Sequence, residues 1–301
     1  MPPRRRSLLR NGLEYLLALA LMTALRRLPL RVAFVLGHAC ARLLDRAMPR
    51  LRRTAMRNLE MALPELDAPA HRKLVDGVFR SIGRLLVCFA RFPDLNVRNI
   101  REWIAYDGFE HYEEAKRRGR GVLFATAHLG NWELSAFAHA LLCEPMHIVV
   151  RPLDNPLIDR WVETRRALTG NRIIQKRDFA RAILKALAAN EAVGILVDQN
   201  TGLEQGVFVP YFGIPACSGA TFARLAHHTG ATVIPGFAVW VEAEQRYRLK
   251  FYPPLEMTGD LVKDTQKVQA AVERAVREYP DQWLWIHRRW KTRPPGEPPL
   301  Y

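Results

Sequence analysis

The sequence predicts an α/β fold in which a mixed, largely parallel sheet is flanked by helices and preceded by a helical N-terminal region. Two patterns indicate this fold class. After Phe92-Pro93, short apolar runs alternate with longer amphipathic runs, which is typical of strands joined by crossover helices. Before that point, the apolar residues follow helical patterns. The chain has 301 residues, 49% of them hydrophobic, which is enough for one sizeable core.

Residues 93–301 are predicted to form the α/β core, because all of the strand-like runs lie there. The strands are expected at residues 121–126, 147–151, 172–175, 193–198, 232–240 and 246–252. The helices are expected near residues 109–118, 132–142, 156–168, 179–189, 218–229 and 262–278. Residues 31–92 are predicted to form a helical layer packed on this core, with helices over 31–48 and 69–89.

Residues 1–30 are predicted to be a membrane anchor helix. An apolar run of eleven residues, Tyr15 to Leu25, has arginines on both sides. A helix of that length extends about 16 Å, which is shorter than a bilayer core of about 30 Å, so the run suits a helix lying at an anionic interface. A signal peptide is the alternative, but no small-x-small cleavage site follows the run.

The net charge of +15 predicts anionic partners, such as membrane lipids, phosphorylated ligands, an acidic protein or nucleic acid. Residues 1–57 hold thirteen arginines against Glu14 and Asp45. Because this surplus lies within hydrophobic segments, it favours a membrane surface over nucleic acid.

The cysteines lie far apart in apolar settings, so we expect a reducing compartment and neither a disulfide framework nor a metal site. They are Cys40, Cys88, Cys143 and Cys217.

The stretch Phe124-Ala-Thr-Ala-His-Leu-Gly-Asn-Trp-Glu133 is the main candidate for chemistry. It runs from a buried strand through a turn into a helix, which places His128 on the turn and Glu133 near the helix start. A carboxylate in contact with the imidazole would hold one ring nitrogen protonated and raise the basicity of the other. Spacing alone makes this a weak signal, because most such pairs are accidental.

The fuller string His-Leu-Gly-Asn-Trp-Glu resembles a known family. Its His, four residues, then an acid is the mark of the lysophospholipid acyltransferase superfamily, and the whole string is similar to the lipid A biosynthesis branch, the lauroyl and myristoyl acyltransferases of Gram-negative bacteria. The resemblance extends over nearly the whole chain. It implies an O-acyltransferase at the cytoplasmic face of the bacterial inner membrane, with His128 as the base that deprotonates an acceptor hydroxyl and Glu133 as the group that orients it.

The same resemblance implies the substrates and no cofactor. The donor is expected to be acyl carrier protein, which is acidic, with acyl-CoA as the less favoured choice. The acceptor is expected to be a lipid A precursor, whose phosphates suit the arginines. Backbone N–H groups near Asn131 and Trp132, at the helix start, are expected to hold the oxyanion. A lysophospholipid, a phosphatidylinositol mannoside or an amino-lipid is the alternative acceptor.

Further substrate contacts are predicted after two other strands. Arg151 follows a strand in Arg151-Pro-Leu-Asp-Asn155-Pro, a position at which an arginine faces the ligand crevice of an open α/β sheet. The family has a matching Arg-Pro…Asn-Pro element. Asp198 and Gln199 end another buried strand, where the family often carries Asp-Gln-Asp. We expect Asp198 either to pair with Arg151 or to orient a substrate hydroxyl.

Near the C-terminus, residues 283–291 mix tryptophans with basic residues. This pattern is typical either of a surface helix or of an anchor at lipid headgroups. A different class of function also stays open at this point. A basic protein that binds a membrane surface or nucleic acid and performs no chemistry would share the charge pattern.

Overall fold

The computed structural model describes residues 7–175 and 179–301. Residues 1–6, the first part of the predicted anchor segment, lie outside these ranges. The helices are α1 (Leu8–Arg27), α2 (Leu30–Ala47), α3 (Pro49–Ala62), α4 (Ala68–Arg91), α5 (Ile100–Trp103), α6 (Phe109–Arg117), α7 (Trp132–Leu142), α8 (Pro156–Arg166), α9 (Phe179–Ala188), α10 (Thr221–Thr229) and α11 (Leu261–Glu278). The strands are β1 (Ile104–Asp107), β2 (Val122–Thr126), β3 (His147–Val150), β4 (Arg172–Gln175), β5 (Ala192–Leu196), β6 (Gly206–Tyr211), β7 (Ile214–Gly219), β8 (Thr232–Val241) and β9 (Arg246–Phe251).

Seven of these strands form one sheet in the order β1-β9-β8-β2-β5-β3-β4. All neighbours are parallel except β8 and β9, so the predicted mixed, largely parallel sheet is confirmed. Helices cover its faces, and the central strands β2, β5 and β8 are buried among apolar side chains. The carboxyl ends of β2, β5 and β3 therefore open at one edge, where the loops after them meet.

Two strand regions were not predicted from the sequence. The edge strand β1 has only four residues, three of them at least partly exposed, so it carries a weak apolar signal. The hairpin of β6 and β7 has Pro210 paired with Pro215 across it, and prolines are untypical of strands. Proline removes a ladder donor, and a two-stranded hairpin tolerates it because both of its strands are edges.

The predicted helical layer over residues 31–92 contains one helix more than the sequence indicated. The basic stretch after residue 48 is α3, which buries Ala55, Asn58 and Leu59. Helices α2 and α4 cross closely at Gly37 and Gly83, where a Cβ on either residue would lie 2.9 Å from the carbonyl oxygen of the other. These glycines allow the two backbones to touch, which fixes the layer against α4.

Helix α1 is longer than the apolar run suggested. Its 20 residues make it long and apolar enough to cross a membrane by length and composition, and only 11% of its most apolar window is buried. Leucines on its outer side are widely exposed, including Leu8 and Leu9 at 88% each. Exposed valines and leucines of α2, such as Val35 at 70%, add to this surface. The two helices thus carry apolar side chains that the protein itself leaves uncovered.

The C-terminal segment was predicted incorrectly. Its tryptophans, Trp283, Trp285 and Trp290, are at most 1% exposed, and Arg289 is fully buried, so the segment is neither a surface helix nor a headgroup anchor. The Arg289 guanidinium binds the Cys217 carbonyl, the Ser218 hydroxyl and the Gln269 amide oxygen at 2.5–3.1 Å. These neutral acceptors make burial of the mixed aromatic and basic run possible, because they replace the water of the guanidinium.

The turn between β2 and α7 gives a test of this fold. Gly130 has φ +64°, and a Cβ there would lie 2.0 Å from the Ala238 carbonyl oxygen. We expect Gly130→Ala to lower the free energy of unfolding by roughly 2–4 kcal/mol, because backbone strain and close contact add. Gly119→Ala is the control: its φ is +70° but it has open space, so strain alone should cost about 1 kcal/mol. Equal destabilisation in urea unfolding would contradict the close approach.

Candidate active site

The candidate site lies where β2 and β5 end side by side. These strands are parallel, and Thr126 pairs with Leu196 at their carboxyl ends. The Val197 N–H donates to the Thr126 carbonyl at 2.9 Å and extends this pairing by one residue. His128 and Asp198 each follow the paired end by two positions. Because both chains leave the sheet in the same direction and register, the two side chains meet at its edge.

His128 and Asp198 form a close pair. The Nδ1 atom of His128 lies 2.9 Å from Oδ1 of Asp198, and the His128 backbone N–H donates to Oδ2 at 2.9 Å. An ionised carboxylate only accepts hydrogen bonds, so Nδ1 carries the proton and Nε2 is left with its lone pair. The His128 side chain is 17% exposed and that of Asp198 is 2% exposed, so the imidazole reaches solvent while the carboxylate does not.

The electrostatics of the pair favour an ionised acid and a basic imidazole. Burial opposes ionisation of Asp198, but the charge and hydrogen bonds of His128 and the indole of Trp283 outweigh it and lower the pKa of Asp198 to about 2. Burial also opposes protonation of His128, yet the Asp198 carboxylate raises the pKa of His128 above its usual value. The pair therefore resembles the acid-oriented histidine of a general base.

Glu133 does not make the contact expected from the sequence. It lies in the first turn of α7, and its carboxylate binds the guanidinium of Arg166 on α8 through both oxygens, one of them at 2.8 Å. Asp198, and not Glu133, is thus the hydrogen-bonding partner of His128 Nδ1. The charge of Glu133 still raises the pKa of His128, after the larger effects of burial and Asp198. Nothing in the sequence indicated that Arg166 would bind Glu133, because the two residues lie on different helices, α8 and α7.

The start of α7 lies beside the imidazole. Asn131 caps the helix, since its Oδ1 accepts from the Leu134 N–H at 3.0 Å. The backbone N–H of Asn131 donates to Ala238 at 2.8 Å, which removes that group from the expected oxyanion site. The N–H groups of Trp132 and Glu133 belong to the first turn, where no intrahelical acceptor exists. The Trp132 ring packs edge-on to His128 at 4.9 Å.

The other predicted contact residues are divided between two places. Gln199 lies at the imidazole, with its Nε2 3.5 Å from Nε2 of His128. Arg151 is exposed and lines a cavity of 510 Å³ between α1 and the loop after β3. Asp198 is bound by His128 and Trp283, so the alternative of an Asp198–Arg151 pair is wrong. Trp283 was not predicted to belong to this site.

Asn155 is buried in a structural contact. Its Oδ1 accepts from the first N–H groups of α8, and its Nδ2 donates at 3.0 Å to the Asn11 carbonyl and to Glu14. These bonds tie α1 to α8.

Among residues 7–175 and 179–301, no three His, Cys, Asp or Glu side chains converge as metal ligands.

The fold and this pair are typical of one class of protein: α/β enzymes with an acid-paired histidine at the carboxyl edge of a sheet. Comparison with known proteins gives the family. The family model described as bacterial lipid A biosynthesis acyltransferase matches residues 3–292. The chain belongs to this family and is an acyltransferase.

Three relatives match over almost their whole length. A lipid A biosynthesis lauroyltransferase of Escherichia coli K12 is 34% identical over 284 residues, which are 91% of this chain and 90% of the relative. A lipid A biosynthesis palmitoleoyltransferase of the same organism is 32% identical over 283 residues, with the same coverage. A lipid A biosynthesis acyltransferase of Shigella flexneri is also 32% identical over 91% of this chain.

The pair predicts a specific effect of Asp198→Asn. Without the carboxylate, the imidazole loses its counter-charge and the hydrogen bond that fixes its tautomer, so we expect kcat/KM to fall roughly 10²–10⁴-fold. The base acts in its neutral form, and Asp198 raises the pKa of His128. The low-pH limb of kcat/KM should therefore move to lower pH in the variant.

A pH series of initial rates measures this shift. Asp264→Asn is the control, because Asp264 is equally buried but binds Thr258 and Gly259 away from the site. A limb that stays in place in Asp198→Asn would contradict the assigned pairing.

Proposed function

We propose that this protein transfers a fatty acyl chain from the thioester of acyl carrier protein to a hydroxyl of a lipid A precursor. The observation that carries the proposal is the His128–Asp198 pair, which leaves Nε2 as a base at the open edge of the sheet in a chain of this family. The names of the relatives refer to lipid A biosynthesis, which supports a lipid A precursor as the acceptor.

The transfer needs one base and one site for developing negative charge. Nε2 of His128 takes the proton of the acceptor hydroxyl as its oxygen attacks the thioester carbonyl carbon. The oxyanion of the tetrahedral intermediate is stabilised by first-turn N–H groups of α7, those of Trp132 and Glu133. The carbon–sulfur bond then breaks, and the leaving sulfur receives the proton from the imidazolium. No covalent enzyme intermediate is required.

The Glu133–Arg166 pair contributes to the proposed mechanism through its charge and through its position at the start of α7. Glu133 favours the imidazolium that forms during attack, while Arg166 opposes it, as their effects on the pKa of His128 show. Because Arg166 takes both carboxylate oxygens, the pair also fixes α7 against α8. The start of α7 is thereby held in place beside His128, which keeps its N–H groups directed at one spot.

Charge supports the choice of donor and acceptor. A net charge of +15 attracts an acidic carrier protein, and acyl-CoA, which is also anionic but smaller, is the less favoured donor. Arg151 directly follows β3, so it lies at the same carboxyl edge of the sheet as His128, where it lines an open cavity. A guanidinium there suits a phosphate of the acceptor. Another lipid acceptor, such as a lysophospholipid or an amino-lipid, is the alternative that the activity test separates.

The N-terminal helices are proposed to hold the enzyme on the cytoplasmic face of the inner membrane. The exposed leucines of α1 and the exposed valines of α2 form an apolar surface, and arginines lie around it. Cysteine usage agrees with the reducing side of that membrane, because the four cysteines are unpaired.

Contacts along α1 favour a helix that lies on the membrane over one that crosses it. Near its start, Asn11 and Glu14 bind Asn155 of the α/β core. Near its end, Arg26 binds Asp94 through both oxygens at 2.7–3.1 Å. These two contacts are fifteen residues, or about 22 Å, apart along the helix. A crossing helix would carry the start of α8 deep into the bilayer, where its polar backbone groups have no water.

The activity is tested with the purified protein, a lipid A precursor, and lauroyl groups on either acyl carrier protein or CoA. We expect mass spectrometry to show one added acyl chain, formed faster from the carrier protein, and no product with His128→Ala. Preferential acylation of a lysophospholipid would support the alternative acceptor. Tight DNA binding without transfer would overturn the proposal. In the native host, loss of the gene should remove one acyl chain from lipid A.

The position of α1 is tested by labelling. Ser7→Cys and Arg27→Cys are made separately in a background in which Cys40 and Cys143 are replaced by serine. In sealed inverted inner-membrane vesicles, a membrane-impermeant maleimide should label both positions, because both helix ends lie at the cytoplasmic surface. Glu297→Cys, in the exposed tail, is the positive control. Labelling of Ser7→Cys only after detergent is added would show that the helix crosses the bilayer.

A further inference from the structure

The C-terminal segment, residues 282–292, runs directly against the loop that carries His128. The Leu284 N–H donates to the His128 carbonyl at 3.0 Å, and the Gly130 N–H donates to the Gln282 carbonyl at 3.0 Å. Between these bonds, Leu129 and Trp283 pair as a short antiparallel bridge. The peptide groups on both sides of the base are therefore fixed by a segment more than 150 residues away in sequence.

The same segment also holds the loop that carries Asp198. The Asn200 N–H donates to Nε2 of His287 at 3.1 Å. Burial lowers the pKa of His287 to about 4, so this nitrogen stays unprotonated and accepts at neutral pH. The Asn200 side chain exchanges two further bonds with Thr292, at 2.9 and 3.0 Å. The acid and the base thus have a common support.

Trp283 connects this support to the carboxylate itself. Its indole N–H donates to Oδ2 of Asp198 at 2.8 Å, and its ring is 1% exposed. Oδ2 also accepts from the His128 backbone N–H at 2.9 Å. Two fixed donors on Oδ2 leave the other oxygen, Oδ1, facing Nδ1 of His128. A carboxylate with a single donor on Oδ2 has more freedom to rotate away from the imidazole.

We propose that Trp283 is a positioning residue of the acid–base pair, whose indole N–H fixes the Asp198 carboxylate so that one oxygen stays on Nδ1 of His128. The inference rests on the proposed role of His128 as the base. Trp283 touches neither substrate in this scheme, so its contribution reaches the reaction only through Asp198. Its loss should therefore lower kcat and leave KM unchanged.

Trp285 provides a matched control in the same segment. It is also fully buried, packs against Trp283 at 4.6 Å between ring centroids, and donates its indole N–H to the Pro280 carbonyl at 2.7 Å, away from the site. Replacing either tryptophan by phenylalanine removes one buried donor and part of one ring. The two variants should lose similar stability, and only Trp283→Phe should lose turnover.

We expect Trp283→Phe to lower kcat about tenfold to a hundredfold, the range for a hydrogen bond to a charged group, and Trp285→Phe to change kcat less than twofold. In an Asp198→Ala background, Trp283→Phe should have almost no further effect, because the acceptor of its N–H is gone. Equal kcat losses in the two tryptophan variants, or a full additional loss in the Asp198→Ala background, would overturn the proposal.

Two further measurements keep the test decisive. If Trp283→Phe does not fold, Thr292→Val is the substitute, because Thr292 is only partly buried. This change removes the hydroxyl that accepts from the Asn200 side chain, and kcat should fall about fivefold at unchanged KM. An unchanged kcat in that variant would then overturn the common support. His128→Ala separates this inference from the proposed function: if it is inactive while Trp283→Phe behaves like Trp285→Phe, only the role of Trp283 fails.

Discussion

The pairing register between β2 and β5 is the constraint on which the site depends. Thr126 lies opposite Leu196, and His128 and Asp198 each follow two positions later. A slip of one residue would turn one of these side chains to the other face of the sheet and separate the pair. The register is fixed because β2 lies between β5 and β8 and is paired along its length with both. The geometry of the His128–Asp198 pair is thus set by apolar packing in the middle of the sheet.

Two buried charges lie close to this edge and are stabilised differently. Asp198 has three donors, two of them from His128 and one from Trp283, which offset the loss of water around its carboxylate. Arg289 binds three neutral acceptors and packs over the Tyr211 ring. One of its acceptors, Gln269, also donates to the Val197 carbonyl, immediately before Asp198. The buried cation and the acid therefore share one polar network, built around the C-terminal segment.

Much of the fold was predictable, because a strand or helix with at least one fully buried face shows a clear apolar pattern in its sequence. The predictions for β4 and α7 agree with the structure at both ends. The predictions failed where local pattern and burial differ. The arginines of α3 obscure the apolar pattern of its buried face, and the prolines of the β6–β7 hairpin are untypical of strands. The tryptophans of the C-terminal segment were expected at the surface, because basic neighbours are usually exposed to solvent. Nothing in the sequence indicates that Gln269 is a buried hydrogen-bond partner of Arg289.

The sequence by itself determined that His128 lies just after one buried strand, that Asp198 lies at the end of another such run, and that an α/β sheet would bring such ends to a common edge. It did not determine which acid contacts the imidazole. Glu133 is five residues from His128 and binds Arg166, while Asp198 is seventy residues away and binds Nδ1. Only the tertiary structure decided this, because the order of strands places β5 beside β2 and the packing of α8 places a guanidinium in front of Glu133. Distance along the chain carries no information about either choice.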